Sequence, residues 1–397
     1  MSLNVLFVDD DPFLLQAIKR SLMLSCPDWA PGFAPSGEAA IELLNRQPFD
    51  AVVSDMRMPG MNGAELLEYV NQHFPDTVRI ILSGQSDLER AFQTLGPAHQ
   101  YLSKPCQVGQ LQAILEHAIR LRDHLQNEQL RQVISSIKTM PAFPDQLVRL
   151  GEMLESTTAS ASDIGLEMAK DIGITAKVLQ MANSPLFGLG RPIVNVSEAV
   201  SFLGFDIIHS LIFSFGVFSK FENPRFRPDF IGELTSHSVR VGANAFSIAK
   251  QAGASPIVQR QSLLAGLLHD LGKLILADQF PESYFDVNRV AASSQIPVWQ
   301  SERIVFQATH ADVAAYLLSL WGIANPVVEA IAFHHQPEMA IVTGFNPLVA
   351  VFLANEWERL STGPDSTEAL LKLQDYCNAT GLEFALNDRL ESLMHRI

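Results

Sequence analysis

The sequence predicts two domains of different class, an α/β domain at the N-terminus followed by an all-helical domain. The chain has 397 residues, more than one ordinary hydrophobic core accommodates, and 47% of them are apolar, enough for packed domains. Short apolar runs alternate with amphipathic helical stretches up to about residue 105, a pattern typical of a parallel sheet with helices on both faces. From about residue 145 onward the apolar spacing is helical, interrupted by prolines.

Strands in the first domain are predicted where apolar residues form short runs, at 5–8, 51–54, 78–82 and 100–102. Helices are predicted at 12–25, 37–45 and 63–73, with Ser36 as an N-cap of the second. Because strands and helices alternate, we expect a doubly wound parallel sheet.

One long helical pattern follows, from residue 108 to about 138. A short apolar seam runs along it at spacings of three and four, formed by Leu111, Ile114, Ala118, Leu121 and Leu125. The seam either packs on the sheet of its own domain, or belongs to a linker that carries a signal or forms a homodimer. The proline-rich stretch beginning at Met140 ends it. The predicted organisation is therefore a first domain at 1–122, a helical linker at 123–140 and a helical domain at 141–397.

Charge and cysteine content narrow the function classes. The formal net charge of −15 opposes binding of a phosphate backbone through a broad basic face, so we expect no DNA partner. The three cysteines are far apart, which is typical of a reducing compartment. No signal-peptide pattern is apparent, and the longest apolar runs are too short to span a bilayer. We therefore expect a cytoplasmic protein without membrane insertion.

Polar side chains follow the predicted strands of the first domain. Asp9 and Asp10 come directly after the first strand, and Asp55 follows the strand at 51–54. The carboxyl ends of parallel strands converge on one crevice, and carboxylates gathered there repel each other unless a cation such as Mg²⁺ holds them. Ser83 and Lys104 also end strands and could bind the oxygens of a phosphoryl group on Asp55.

This order of residues resembles the receiver domains of two-component response regulators, over residues 4 to about 122. The resemblance implies a flavodoxin-like, five-stranded fold in which Asp55 accepts a phosphoryl group. It also implies a Mg²⁺ site formed by Asp9, Asp10, Asp55 and the carbonyl of Arg57. A sensor histidine kinase or a phosphotransfer protein is the implied partner.

The resemblance extends to the residues that respond to phosphorylation. Ser83 is similar to the switch hydroxyl of the family, and Tyr101 to its aromatic switch. Lys104 is similar to the phosphate-binding lysine, and residues 58–63 match the loop after the phosphoacceptor.

Histidines recur in the helical domain together with one Asp and one Lys, as His237, His269, Asp270, Lys273, His310, His334 and His335. Imidazole and carboxylate ligands suit Zn²⁺, Mn²⁺, Fe or Ni better than Mg²⁺. Lys273, about one turn beyond Asp270, could hold a phosphate oxygen. The alternative is that these histidines are core residues whose ring nitrogens are satisfied by hydrogen bonds.

The order of these residues resembles the HD superfamily of metal-dependent phosphohydrolases. One branch is closer, the HDOD domains, on the strength of the segment 140–144, M-P-A-F-P, and the segment 175–188, T-A-K-V-L-Q-M-A-N-S-P-L-F-G. This resemblance covers about 132 to 350 and implies an all-helical HD fold, in a family that often acts as a signalling module.

Two features bear on activity. His310, His334 and His335 are similar to the extra ligands of the HD-GYP phosphodiesterases, but residues 336–338 lack the Gly-Tyr-Pro signature, so that substrate is not inferred. Asn355 stands where the superfamily has its last Asp ligand, which removes one anionic ligand and should weaken metal binding.

Two hypotheses for the output follow. In the first, phosphorylation of Asp55 controls a helical module that binds a downstream signalling protein or a nucleotide. In the second, the helical domain is a metal-dependent phosphohydrolase or cyclic (di)nucleotide phosphodiesterase gated by the first domain. A DNA-binding output is disfavoured, since no helix-turn-helix with a basic second helix is evident.

Overall fold

The structure is a computed structural model, and it divides into two compact units. It describes residues 3–83, 98–136, 145–156, 158–170, 193–219, 228–340 and 344–362, with the single residues 174, 175, 178, 179 and 182. The first unit is Met1–Ala142 with Val287–Asn325, and the second is Phe143–Asp286 with Pro326–Ile397. The first unit thus includes helices that the sequence analysis placed in the helical domain, and the domain bounds given above remain a prediction.

A five-stranded parallel sheet forms the centre of the first unit, in the order β2-β1-β3-β4-β5. Its strands are β1 (Asn4–Val8), β2 (Ala30–Ala34), β3 (Ala51–Asp55), β4 (Val78–Ser83) and β5 (Gln100–Ser103). Three helices accompany the first four strands, α1 (Pro12–Ser25), α2 (Gly37–Leu44) and α3 (Gly63–His73). The side chain of Asp11 caps α1, and that of Ser36 caps α2 as predicted. The α/β class and the five-stranded parallel sheet are confirmed.

The strand β2 was not among the strands predicted from the sequence. Its first residues, Ala30-Pro31-Gly32, combine two strand breakers and resemble a turn. The strand lies at the edge of the sheet, next to β1, where a proline can be tolerated because one side of an edge strand needs no ladder hydrogen bond.

The long helical pattern after the sheet is two helices, α4 (Val108–His124) and α5 (Glu128–Ser136), and the expectation of one continuous helix is wrong. The break has a local cause, because the side chain of Asn127 accepts a hydrogen bond from the main-chain N–H of Leu130 and caps α5. Leu111, Ala118 and Leu125 of the predicted seam are buried within the chain.

The second segment of the first unit carries the end of α13 (Pro281–Ser294), α14 (Val298–Phe306) and α15 (His310–Leu320). The helix α15 packs against α4 and α5. Its N-terminus is closed by a capping box, in which Thr309 and Asp312 exchange hydrogen bonds.

The second unit is helical throughout its described residues. Its elements are α6 (Asp145–Glu155), α7 (Ala161–Met168), α8 (Val196–Leu203), α9 (Phe205–Ser219), α10 (Pro228–Gln251), α11 (Pro256–Leu268), α12 (Leu271–Gln279), α16 (Asn325–Phe333), a short 3-10 helix (Pro337–Met339) and α17 (Pro347–Thr362). Helices α6 to α11 share one apolar core, and α10 packs against both α11 and α17. Much of the segment 175–188 lies outside the described residues.

Among the described residues, no single helix is apolar and long enough to cross a membrane. One pair of helices bent by 112°, Val196–Leu203 with Phe205–Ser214, meets the length and composition criteria when taken together.

Candidate functional site

The first candidate site lies at the carboxyl edge of the parallel sheet. In the register of β1 and β3, Val8 stands opposite Ser54, so the next residues, Asp9 and Asp55, are neighbours at the strand ends. Asp9 is buried and its Oδ1 accepts a hydrogen bond from the main-chain N–H of Asp11 at 2.9 Å. Asp10 is exposed at the rim. The structure thus brings two of the predicted carboxylates together and leaves the third accessible to solvent.

Lys104 links these two carboxylates. Its Nζ donates to Asp9 Oδ2 at 2.7 Å and also contacts Asp55 Oδ1. Burial alone would lower the pKa of Lys104, but its hydrogen bonds to Asp55 and Asp9 outweigh that effect, and the pKa is raised above its ordinary value. Lys104 is therefore a fixed positive charge at the position where an anionic group on Asp55 would form.

The second oxygen of Asp55 is held by the loop that follows it. The main-chain N–H of Arg57 donates to Asp55 Oδ2 at 2.8 Å. Gly63 backs this loop, because a Cβ at that position would stand 2.1 Å from the main-chain oxygen of Asp55. Gly60, which follows Met58-Pro59, has a φ of +77°, a conformation that favours glycine. Sequence reasoning matched this loop to a family motif but missed the steric role of Gly63.

The two predicted switch residues are described only in their main chains. Ser83 ends β4 and pairs with Ser103, and Tyr101 lies in β5 opposite Ile81. Their side chains lie outside the described residues, so their switch roles remain predictions.

The oxygen donors present fit a magnesium ion. Asp9, Asp10 and Asp55 offer carboxylate oxygens, the ligands that this small, hard cation prefers. The carbonyl of Arg57 belongs to the loop whose N–H already binds Asp55. The donor set therefore agrees with the site predicted from the sequence.

The second candidate site lies in the second unit and joins His237, His269 and Asp270. Their ligand atoms all lie within 4.8 Å of one another. His237 lies on α10, and the His269-Asp270 pair lies at the turn between α11 and α12. The Oδ2 atom of Asp270 is 3.7 Å from His237 Nε2 and 3.5 Å from His269 Nε2. The structure thus brings together three predicted ligands.

A close helix crossing positions these ligands. A Cβ on Gly266 of α11 would stand 2.7 Å from the Cα of Gly242 on α10, so the two helices approach at glycines. Gly242 lies five residues after His237, and Gly266 lies three before His269. Sequence reasoning missed both glycines, because a glycine within a helical pattern does not show which helix it meets.

The hydrogen bonding of His269 fits a metal ligand. Its Nδ1 donates to the carbonyl of Gly266 at 2.8 Å, so the proton of the neutral ring is on Nδ1 and a lone pair is on Nε2. Nε2 is fully buried, and within the described part of the chain it makes no hydrogen bond. A carbonyl that fixes the tautomer in this way is common behind histidines that bind metals.

Electrostatics keep these imidazoles neutral. Burial lowers the pKa of His269 to about 3, despite the opposing effect of Asp270. Burial also lowers the pKa of His237. Neutral imidazoles with a buried carboxylate form a donor set that suits a divalent transition metal.

Lys273 lies one turn after Asp270 and donates to its Oδ2 at 2.7 Å. The ammonium group is partly exposed, with 22% of its side chain accessible, whereas Asp270 is 2% accessible. Lys273 thus brings a positive charge to the edge of the site, where a phosphate oxygen would be attracted.

His334 is connected to this site through ring contacts. Its ring centroid lies 5.0 Å from that of His269, with the planes at 89°, and its Nδ1 donates to Ile331 at 2.7 Å. The ring of His335 lies 3.9 Å from that of His334. Asn355 is buried on α17, the helix that packs against both α10 and α11.

His310 belongs to the first unit, at the start of α15. Its main-chain N–H and its Nδ1 lie 2.8 and 2.6 Å from Glu302 Oε2, and both residues are buried. A carboxylate bound to Nδ1 fixes the tautomer that presents Nε2 to a metal. Sequence reasoning singled out His310 but did not identify Glu302 as its partner.

The first unit carries a carboxylate site at the edge of a parallel sheet, and the helical second unit carries a cluster of histidines with one aspartate. Comparison with known families assigns a domain to each part of the chain. Residues 5–116 match the response regulator receiver domain, and residues 140–337 match the HDOD domain. The chain belongs to the response regulators that combine a receiver domain with an HDOD output domain.

Individual relatives cover parts of the chain. An uncharacterized protein of Treponema pallidum is 26% identical over 239 residues, which is 60% of this chain and 46% of the relative. The response regulator protein PilR of Pseudomonas aeruginosa is 34% identical over 121 residues, 30% of this chain and 27% of PilR. The chain therefore spans half or less of the length of these curated relatives.

Among solved structures, an HDOD domain protein of unknown function from Geobacter sulfurreducens is 26% identical. It covers 59% of this chain and 78% of its own length, with a TM-score of 0.46.

Proposed function

We propose that the receiver domain is phosphorylated on Asp55 by a sensor histidine kinase or a phosphotransfer protein, and that phosphorylation controls the HDOD domain. One observation carries the proposal, the position of Lys104 between Asp9 and Asp55. A partly buried cation held at the acceptor carboxylate stabilises the negative charge that phosphoryl transfer brings to this position.

The residues around Asp55 have different roles in phosphoryl transfer. Asp55 attacks the phosphorus of the donor, and the donor imidazole leaves with the electron pair of the broken P–N bond. The N–H of Arg57 orients the acceptor carboxylate, and Lys104 neutralises the phosphoryl oxygens. Asp9, Asp10, Asp55 and the Arg57 carbonyl would hold Mg²⁺, which would supply charge neutralisation of the phosphoryl group.

The test is phosphorylation of the full chain by a small-molecule phosphodonor with Mg²⁺, resolved on a phosphate-affinity gel. We expect a shifted band for the wild type and none for Asp55→Asn. Asp28→Asn, an exposed carboxylate elsewhere on the same domain, is the matched control and keeps the shift. A shift that persists in Asp55→Asn would show that another residue accepts the phosphoryl group.

For the output, we propose a regulatory module that binds a signalling protein or a nucleotide and holds a transition metal. His237, His269 and Asp270 would hold the metal, with His310, His334, His335 and Asn355 as further candidate ligands. Asn355 supports the regulatory role, because the carboxylate ligand that the phosphohydrolase superfamily has at this position is replaced by a neutral amide.

The second candidate function is a metal-dependent phosphohydrolase, and the cluster of His237, His269 and Asp270 within 4.8 Å favours it. A bound Zn²⁺, Mn²⁺, Fe or Ni ion would supply Lewis acidity there. Lys273 would bind a phosphate oxygen of the substrate.

Elemental analysis of the purified chain, followed by a panel of cyclic nucleotides and dinucleotides, separates the two candidates. We expect one or more transition metals in the wild type, loss of metal in His269→Gln, and retention in His209→Gln, an exposed histidine on α9. Metal without turnover supports the regulatory module. Rapid metal-dependent hydrolysis would replace it with the enzyme.

A further inference from the structure

A buried set of polar residues joins the receiver sheet to α15 within the first unit. We call it the polar seam, and it consists of Arg79, His99, Gln100, Ser135, Tyr316 and Ser319. All six are buried, although each carries groups that require hydrogen bonds. The seam spans three separate parts of the chain: the β4–β5 edge, α5 and α15.

Gln100, the first residue of β5, reaches the C-terminal end of α15. Its Nε2 donates to the carbonyl of Ser319 at 2.8 Å. The Ser319 carbonyl also accepts from the main-chain N–H of Gly322 at 3.0 Å, and the two lone pairs of a carbonyl oxygen allow this further donor. Gly322 makes room for it, since its φ is +77° and a Cβ there would stand 3.2 Å from the Gln100 side chain.

Tyr316, one turn earlier on α15, binds α5. Its hydroxyl lies 2.9 Å from Ser135 Oγ, and both residues are fully buried. The carbonyl of the same Ser135 accepts from the guanidinium of Arg79 on β4 at 2.7 Å. Ser135 thus connects α15 to β4 through its two oxygens.

His99 completes the seam directly before β5. Its Nδ1 lies 3.1 Å from the main-chain N–H of Arg79, and its Nε2 lies 2.6 Å from the Arg79 guanidinium. Nε2 also lies 3.1 Å from the carbonyl of Ser135, which can only accept, so Nε2 carries the proton and donates to Ser135 while Nδ1 accepts from the main-chain N–H of Arg79. A charged imidazolium beside the guanidinium is disfavoured, and burial with this charge holds the pKa of His99 well below its usual range. His99 thus links β4 to the carbonyl of Ser135 on α5.

The strand β5 connects the seam to the phosphorylation site. Gln100 begins the strand, and Lys104 follows its last residue, Ser103. Three residues lie between the two, so the extended chain from Gln100 to Lys104 spans about 13 Å. Because Lys104 contacts Asp55 Oδ1, a phosphoryl group on that carboxylate changes the charge and position of the group that Lys104 binds.

The helix α15 connects the polar seam to His310. Its first residue, His310, is bound to Glu302, and its last two turns bear Tyr316 and Ser319. A helix of 11 residues is a rod of about 16 Å, so a displacement at its C-terminal end also moves its N-terminal end.

We propose that α15 is the docking partner of the receiver, and that the polar seam transmits phosphorylation of Asp55 through β5 to α15 and its terminal His310. The inference rests on the proposed phosphorylation of Asp55. The partner surface of this receiver is thus a segment of its own output domain, held by buried hydrogen bonds rather than by apolar contact alone.

The direction of the response follows from the geometry. Each of the contacts of Ser319, Tyr316 and Ser135 described above already lies within hydrogen-bond distance. A movement of β5 toward a phosphoryl group therefore lengthens these contacts rather than adding to them. Phosphorylation loosens the docking of α15.

Hydrogen exchange of the full chain tests this, measured on peptides covering 310–320 with and without beryllofluoride and Mg²⁺. We expect beryllofluoride to raise exchange in α15 of the wild type about fivefold, at the lower end of typical allosteric coupling. In Gln100→Ala and Tyr316→Phe, exchange is already raised and the further increase falls below about twofold. Gln72→Ala and Tyr69→Phe on α3 are the matched controls and respond as the wild type does.

Binding of beryllofluoride is followed separately by fluorine NMR, so that two failures can be told apart. Absence of binding to the wild type overturns the proposed function and, with it, the coupling. Binding with unchanged exchange in α15 overturns the coupling alone. A full wild-type response in both Gln100→Ala and Tyr316→Phe also overturns the role of the seam.

Discussion

Lys104 donates a 2.7 Å hydrogen bond to Asp9 while it also contacts Asp55, so one partly buried cation lies between two carboxylates at the ends of different strands. We expect Lys104→Met to lower the rate of phosphorylation about 100-fold, because a charge-stabilising donor is lost at the reacting group. The rate is measured with a small-molecule phosphodonor on folded protein. Lys250→Met, at an exposed site on α10, should keep the wild-type rate, and an unchanged rate in Lys104→Met would contradict the role of the lysine.

Gly63 should be intolerant of a side chain. A Cβ there would stand 2.1 Å from the Asp55 carbonyl oxygen, so Gly63→Ala must displace the loop that holds the acceptor. We expect a loss of about 1–3 kcal/mol in the free energy of unfolding, together with slower phosphorylation. Gly109→Ala in α4 is the control, since no atom lies within 4 Å of its Cβ position, and it should be neutral or stabilising by up to about 1 kcal/mol. Equal unfolding curves for the two variants would exclude this steric role.

His99 makes stability depend on pH. Burial and the charge of Arg79 hold its folded pKa well below 6.5, whereas the unfolded chain binds a proton near 6.5. The contribution of His99 to the free energy of unfolding is therefore complete above pH 6.5, and it is lost as the pH falls toward the folded pKa. Its expected slope is about 1.4 kcal/mol per pH unit.

Denaturant unfolding between about pH 5 and 7.5 measures this slope. His99→Gln should flatten the acid side of the profile, and His73→Gln, at an exposed position on α3, should leave it as in the wild type. The same acid slope in His99→Gln and wild type would show that the histidine is not held neutral.

Asn355→Asp should strengthen the metal site. The side chain is buried on α17, so a carboxylate without a metal is costly there, and a bound cation would relieve that cost. We expect about a tenfold gain in metal affinity, with a lower Tm in chelator that is restored by metal. Asn346→Asp caps the same helix from its N-terminal side and should change neither quantity. Unchanged metal affinity in Asn355→Asp would remove Asn355 from the candidate ligands.

The sequence predicted the class of both domains because alternation of strands and helices, and later helical spacing, are local patterns. The grouping of the carboxylates at the strand ends could also be predicted, since parallel strands bring their carboxyl ends to one edge. The edge strand β2 was not predicted, because Pro31 and Gly32 have the composition of a turn. The break between α4 and α5 was not predicted either, because it depends on a single capping side chain, Asn127.

The polar seam could not be predicted. Gln100 and Ser319 are separated by 219 residues, and neither has an unusual neighbour in the sequence that indicates a contact. The signal of the polar seam in the sequence was Arg79, a charged residue in a buried strand that is otherwise apolar. The partners of Arg79, which are His99 and Ser135, are set by tertiary packing, and no local pattern in the sequence indicates them.

Borohydride reduction of the phosphorylated full chain identifies the residue that carries the phosphoryl group. Reduction converts an aspartyl phosphate to homoserine, which peptide mass spectrometry locates. We expect homoserine at position 55, and none at positions 9 and 10. Homoserine at either of those positions, or no conversion at Asp55 in protein shown to be phosphorylated, would contradict this expectation.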